Sequence, residues 1–197
     1  PTMLYHAPYY SFGINPCCWS KVFKKELLEQ CLYPVTPKVK IGEDAAFTYP
    51  CLLAAESLAY VDGCLYHYRN NAQSMTAAFD PHLTETIFIP LDILRTYFDT
   101  DKRALFAQYQ MYAAYLLQLW VRNQASLDCD LDRKRMRQSC ARVCQNQELR
   151  ALLASVPGAL PRQVAVAVRA VQQQKPGQLY LLIKAWNLYY KLRNGRA

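Results

Sequence analysis

The chain has 197 residues, 52% hydrophobic and 19% charged, with 11 Pro and 6 Gly, which excludes disordered, collagen-like and low-complexity classes and leaves one domain or a domain with a small extension. The net charge of +8 is unevenly placed: residues 1–102 carry 8 basic against 11 acidic side chains, and residues 103–197 carry 15 against 4. The basic half favours a polyanionic neighbour such as acidic lipid headgroups, nucleic acid or a phosphate-bearing substrate.

The first 16 residues hold Pro1, Pro8 and Pro16 with little periodicity, and Pro1 stands where an initiator Met would. A chain entered in its middle is the expectation. Val22, Phe23, Leu27, Leu28, Cys31 and Leu32 recur at helical spacing and predict a helix over Lys21–Leu32, ended by Pro34 and Pro37. Gly42-Glu43-Asp44 precedes a second helix near Ala45–Ser57, because acids suit a helix N-terminus; Pro50 should kink it. Leu58–Val61 and Cys64–Arg69 then read as short strands around Asp62-Gly63, a hairpin signal. Tyr66 and Tyr68 would share one face, with His67 and Arg69 on the other.

From Asp80 the pattern is helical throughout. Asp80-Pro81 reads as an N-cap followed by Pro at the first helical position. Helices are predicted near 81–98 (kinked or split at Pro90), 102–126, 130–145, 147–155, 161–174 and 178–193. Breaks are expected at Asp128–Asp132, Pro157-Gly158 and Pro176-Gly177. The composition shift places a domain boundary near residue 80.

Eight Cys scatter without a C-x-x-C pair, which gives no support to a zinc ribbon or a thioredoxin-type site. Disulfide frameworks serve smaller cores, so the thiols read as mostly buried and reduced, and the expected location is cytoplasmic. No signal peptide is legible at the start. The longest uncharged run, Ala104–Val121, includes Gln108, Gln110, Gln118 and three Tyr, and predicts a buried helix rather than a membrane span.

Three constellations carry potential chemistry: Trp19-Ser20-Lys21, Gly42-Glu43-Asp44, and Leu65-Tyr66-His67-Tyr68-Arg69 followed by Ser74. Singly, each has an ordinary structural explanation. In this order and spacing they resemble the second half of the catalytic domain of family 2 glycosyltransferases, which have the glycosyltransferase A fold. The matching pattern is N-P-x-x-W-x-K, here Asn15-Pro16-Cys17-Cys18-Trp19-Ser20-Lys21, then G-E-D at a helix start, then L-Y-x-Y-R and a Ser. It covers about Asn15–Thr76.

The resemblance implies a bacterial cell-envelope or capsular polysaccharide enzyme and a role for each residue. Asp44 matches the catalytic base, which takes the proton of the acceptor hydroxyl while that oxygen attacks the anomeric carbon and inverts it. Glu43 would hold an acceptor hydroxyl or tune Asp44, and Trp19 and Lys21 would either contact the acceptor or pack on its side and fix the helix start. Arg69 and Ser74 match positions that reach toward the nucleotide diphosphate, where leaving-group charge develops, and His67, between two Tyr, is either structural or a contact to the diphosphate or a metal. Family members begin with a parallel βαβ half that binds the nucleotide-sugar and carries a D-x-D motif for Mn or Mg. That half has no counterpart here. Asp99-Thr100-Asp101, Asp128-Cys129-Asp130 and Asp130-Leu131-Asp132 follow no apolar strand and read as caps and turns. The metal is therefore expected only in the full-length enzyme, and this portion alone is expected to be inactive.

The fold expectation is thus α+β and mostly α. Residues 1–79 would be a truncated glycosyltransferase A-type portion with short strands or a hairpin, and residues 80–197 a C-terminal helical bundle. Near the C-terminus, Leu179, Leu182, Ile183, Trp186, Tyr189 and Tyr190 form a stripe, with Lys184, Lys191, Arg193 and Arg196 around it. The preferred reading is a helix packed on its neighbours. The functional one is an interfacial helix on an anionic membrane, making the protein peripheral on the inner face of the cell membrane. Arg133-Lys134-Arg135-Met136-Arg137 is a solvated face or an anion patch; no nucleic-acid motif accompanies it. Expected partners are a nucleotide-sugar donor, a glycan or lipid-linked acceptor, anionic membrane, and a second copy through the C-terminal helices. The rival class is a non-catalytic basic helical module for membrane attachment or self-association.

Overall fold

The computed structural model describes residues 13–31, 38–67, 69, 78–98 and 103–194. Among them lie a 3-10 turn at Cys18–Ser20, nine α-helices and no strand. Helix α1 (Lys25–Cys31) starts later than the apolar spacing predicts: residues 21–24 stay outside it, and Val22 is 99% exposed. Helix α2 (Glu43–Ala54) keeps both acids in its first turn. It runs through Pro50, whose missing N–H removes one intrahelical bond, and still closes with Ala55 N–H on the Cys51 carbonyl at 3.0 Å. Ala45, Tyr49 and Leu52 turn its inner face to the core.

The expected strands at Leu58–Val61 and Cys64–Arg69 do not form among the described residues, so the strand component of the α+β expectation is corrected to helix plus irregular chain. Gly63 has the positive φ of a turn, 130°, yet no ladder flanks it. A two-stranded hairpin is marginal in water unless a third strand or a helix covers its apolar face. Leu58, Tyr60, Val61 and Leu65 lack that cover and stay exposed.

The helical part follows the predicted spacing more closely. Pro90 does split the first segment, into α3 (Leu83–Thr86) and α4 (Ile89–Arg95), where it occupies the first turn, whose N–H groups have no helical partner anyway. Asp80 caps a turn instead of a helix: its Oδ1 accepts the His82 N–H at 2.9 Å, and the helix opens only at Leu83. Helices α5 (Arg103–Gln124), α6 (Arg133–Gln145), α7 (Gln147–Leu153), α8 (Arg162–Gln172) and α9 (Pro176–Asn194) follow. Asp132 and Asn146 cap α6 and α7 through the N–H groups of Arg135 and Leu149, at 2.8 and 2.9 Å. Pro176-Gly177, expected as a break, is instead the first turn of α9; the chain reverses just before it, at Gln174 with φ 51°.

One apolar cluster runs from α2 through α3, α4 and α5 to α9. At its centre α5 buries Tyr109, Tyr112, Leu116, Leu117, Trp120 and Val121. Three of its polar groups find partners inside: Trp120 Nε1–H donates to Thr84 Oγ1 at 3.0 Å, the Tyr109 hydroxyl to the Leu91 carbonyl at 2.6 Å, and Gln110 Nε2–H to the Leu152 carbonyl at 3.1 Å, whereas the buried side-chain amide of Gln124 has no hydrogen-bond partner among the described residues. A buried group left without such a partner would cost about 1–3 kcal/mol. Helix α9 packs on α6 and α8 through buried Leu179 and Ile183, with Trp186 and Tyr190 half-buried on the same side. No described helix is long and apolar enough to cross a membrane. All eight cysteines are free thiols, four of them buried.

Helices α4 and α7 meet at a carboxyl pair. Partial burial, then a hydrogen bond to Glu148 and that group's charge, push the Asp92 carboxyl up to about 6, while Arg95, paired with Glu148 at 2.7 Å, pulls it down. The fold therefore favours protonated Asp92. Its contribution is complete below the ordinary aspartate pKa and is lost as pH rises through about 6. Asp92 stays exposed, so screening limits the effect to about 0.5 kcal/mol, or about 1–2 °C. Thermal unfolding at pH 8 and pH 4 should show Asp92→Asn gaining stability over the parent at pH 8 only. A difference that does not move with pH would mean the two carboxyls share no proton.

Candidate functional site

The first turn of α2 is set by Gly42. Its φ of 89° lies in the left-handed region, and a Cβ there would stand 2.8 Å from the Tyr112 hydroxyl and 2.9 Å from Pro90 Cγ. Only glycine lets the backbone pass so close beneath α4 and α5. The chain then enters α2 with Glu43 and Asp44 at the end where free N–H groups favour acids.

An open cleft of about 870 Å³ lies over this turn. Glu43 and Asp44 line one side, with Lys40 and the loop residues Asn15, Pro16 and Cys17. Tyr115, Leu119, Arg122 and Asn123 of α5 line the other, and Tyr190 of α9 and Asp128 close it. Lys40 pairs with Asp80 at 3.4 Å. Asn123 holds the Asp80 backbone in a reciprocal pair, its Nδ2–H donating to the carbonyl and its Oδ1 accepting the N–H, both at 2.9 Å. Burial raises the Glu43 carboxyl above its ordinary value; a backbone hydrogen bond lowers it, and the Asp44 charge adds to the rise.

The loop before α1 is fastened to α2. Thr48 Oγ1–H donates to the Pro16 carbonyl at 2.7 Å, and the Tyr49 hydroxyl to the Ile14 carbonyl at 3.0 Å. The Cys18 thiol lies against Thr48 Oγ1 at 3.6 Å and against Asp44, and burial together with that carboxylate pushes it up to about 11. Cys18 therefore keeps its proton and presents an S–H to Asp44. Lys21 closes the loop on itself: its ammonium donates to the carbonyls of Asn15 and Cys17 and to Ser20 Oγ. Burial lowers its pKa, while Cys17, Cys18 and Asp44 oppose the shift.

Of the predicted site residues, Asp44 and Glu43 line the cleft together. Lys21 is outside the cleft lining and clasps Asn15 and Cys17, which belong to it. Trp19 stacks on Tyr66 with ring centroids 4.6 Å apart, and Phe23 meets Phe47 edge-on at 5.8 Å. The first two constellations thus meet at α2, and among the described residues of the third only Tyr66 is joined to them, through Trp19. His67 and Arg69 are exposed and outside the cleft lining, and Ser74 lies outside the described residues. Spacing along the chain missed the far wall, Tyr115, Arg122, Asn123 and Tyr190. Its one legible signal was the run of aromatic and polar residues within an otherwise apolar helix, Tyr109 to Asn123.

The residues present do not fit the implied metal. The described residues contain no cluster of three or more His, Cys, Asp or Glu that would hold an ion. Asp132 is occupied as the α6 cap, Asp128 sits in a turn where its N–H bonds Ser126 Oγ at 3.3 Å, and Asp99-Thr100-Asp101 is outside the described residues. No family model matches the chain, and no curated protein or solved structure matches it.

Gly42→Ala tests how the turn is held. The left-handed backbone and the contacts with Pro90 and Tyr112 should together cost about 1–3 kcal/mol, read by urea unfolding. A loss below about 0.5 kcal/mol would show that α4 and α5 yield, and that Gly42 does not position the acids.

Proposed function

We propose that the chain is the acceptor side of an inverting nucleotide-sugar glycosyltransferase, with Asp44 as general base. One observation carries the reading: Asp44, with Glu43 beside it, lines a cleft of about 870 Å³ whose far wall bears Tyr115 and Tyr190. Tyrosine faces and carboxylates suit a sugar, whose C–H face stacks on a ring while its hydroxyls seek acceptors. In this reading the acceptor hydroxyl oxygen bonds to the anomeric carbon as the bond to the nucleotide diphosphate breaks. The hydroxyl proton passes to Asp44, and the electron pair leaves on the diphosphate. Glu43, more readily protonated than an ordinary glutamate, holds a neighbouring hydroxyl. Cys18 and the Lys21 clasp keep the loop against Asp44. The proposed donor half would pack beyond Leu58, Tyr60 and Leu65, and their exposure supports that division. The order of motifs along the chain supports the family and, through it, a glycan acceptor.

The rival reading, a non-catalytic basic module, draws on the exposed cations of α6, Arg133, Lys134, Arg135 and Arg137. One pair of experiments separates the two. In the protein joined to its donor half, Asp44→Asn should lower sugar transfer by about 10²–10⁴-fold and leave nucleotide-sugar binding within a few-fold of the parent. Near-normal turnover would remove Asp44 from the role, and a joined protein that binds no nucleotide-sugar would favour the module. The 197-residue chain alone should release no nucleoside diphosphate from nucleotide-sugars, with or without Mn²⁺. Release would mean that it contains a donor site of its own.

A further inference from the structure

Helix α9 has two apolar faces, and only one is covered. Leu179 and Ile183 are buried against α6 and α8, with Trp186 and Tyr190 behind them. On the opposite side Leu181, Ala185, Leu188 and Leu192, at i, i+4, i+7 and i+11, form a straight row. The leucines are 66%, 57% and 59% exposed, and Tyr189 beside them is 58% exposed. From Leu181 to Leu192 the row runs about 16 Å along the helix. Scattered exposed leucines need no explanation, whereas a row this long on one helix marks a contact surface.

Charge decides what the surface fits. Lys184 and Lys191 each follow a row leucine by three residues and so flank the row on one side. On that flank Arg137 of α6 and Lys184 both lie over the Tyr180 ring, 5.4 and 5.7 Å from its centroid. Two cations gathered at one ring concentrate positive charge on this flank, which favours an anionic neighbour. Arg133, Lys134 and Arg135 extend the cationic area along α6. Neither α6 nor α9 contains an Asp or Glu; the nearest acids in sequence are Asp130 and Asp132 before α6 and Glu148 after it. An antiparallel second copy docked through the same row would set the lysine flank against itself, and neither α6 nor α9 offers an acid to answer it. A leucine row edged by cations matches an anionic bilayer surface, with apolar side chains at the acyl boundary and cations among the phosphates.

We propose that the outer face of α9, Leu181, Leu188 and Leu192 with Lys184, Lys191 and Arg137, docks the protein on anionic lipid, lying in the interface without crossing it. The proposal does not depend on the transferase reading. It also moves the membrane contact away from Trp186, which packs on the core, and Tyr190, which lines the cleft.

Co-sedimentation of the 197-residue chain with vesicles tests it. The chain should pellet with phosphatidylcholine vesicles containing roughly a third phosphatidylglycerol, and not with pure phosphatidylcholine. Binding should fall steeply by about 0.5 M salt. Lys184→Glu/Lys191→Glu should lower partitioning at least about tenfold, and Leu188→Ser/Leu192→Ser several-fold. All four side chains are exposed, so the helical circular dichroism of both variants should match the parent. No binding to anionic vesicles at low salt overturns the proposal. Unchanged binding by the leucine variant overturns the docking of the apolar row. A dimer in sedimentation velocity that Leu188→Ser/Leu192→Ser dissociates assigns the row to a second copy and overturns the lipid reading.

Discussion

Burial of α5 on almost all sides is the constraint on which the rest depends. A 22-residue helix with Tyr109, Tyr112, Leu116, Trp120 and Val121 all withdrawn from water cannot be covered by one neighbour. Helices α2, α3 and α4 cover it from earlier in the chain, and α7, α8 and α9 from later. Its interior polar groups then fix how those neighbours sit. Trp120 must reach Thr84, Tyr109 must reach the Leu91 carbonyl, and Gln110 the Leu152 carbonyl. A neighbour that shifted by one turn would strand a buried donor, a larger penalty than most apolar repacking incurs.

That dependence explains what the sequence could and could not reveal. Helices α5 to α8 were legible from their apolar period, and at α6 the cap agrees with it: Asp132, read as a cap or turn residue, accepts the Arg135 N–H. Pro90 was legible for the same reason. Pro176 was misread because a proline that breaks one helix also makes a good first residue for the next, and sequence alone does not say which. Leu58–Arg69 was misread in a different way. Alternation and Asp62-Gly63 report a local preference for extended chain, but strand formation needs a partner, and none lies among the described residues.

Half of the candidate site was legible and half was not. Glu43 and Asp44 stood out because two acids after a glycine at a helix start have a local physical reason. Their companions on the loop, Cys17 and Cys18, carry no such signal; a free thiol in sequence looks like any small core residue. The far wall is harder still. Tyr115 and Tyr190 lie 75 positions apart and meet only because α9 folds back along α5. The stripe on α9 shows the same limit. The aromatic pattern drew attention to Trp186 and Tyr190, but packing consumes that face and leaves the plain leucine row outside.

The C-terminal end of α5 is stitched from both directions. Asn123 clasps the backbone of Asp80, and Asn187 of α9 donates to the carbonyls of Ala125 and Ser126, each at 3.2 Å. Both stitches sit beside fully buried Trp120 and Val121. Local opening there must break long-range hydrogen bonds and expose core at once, so amides around 117–125 belong to the slowest-exchanging part of the molecule. The cleft wall that carries Arg122 and Asn123 is therefore preorganised. A ligand entering it meets a surface whose ordering entropy was already lost when the chain folded, and more of its contact energy survives as affinity.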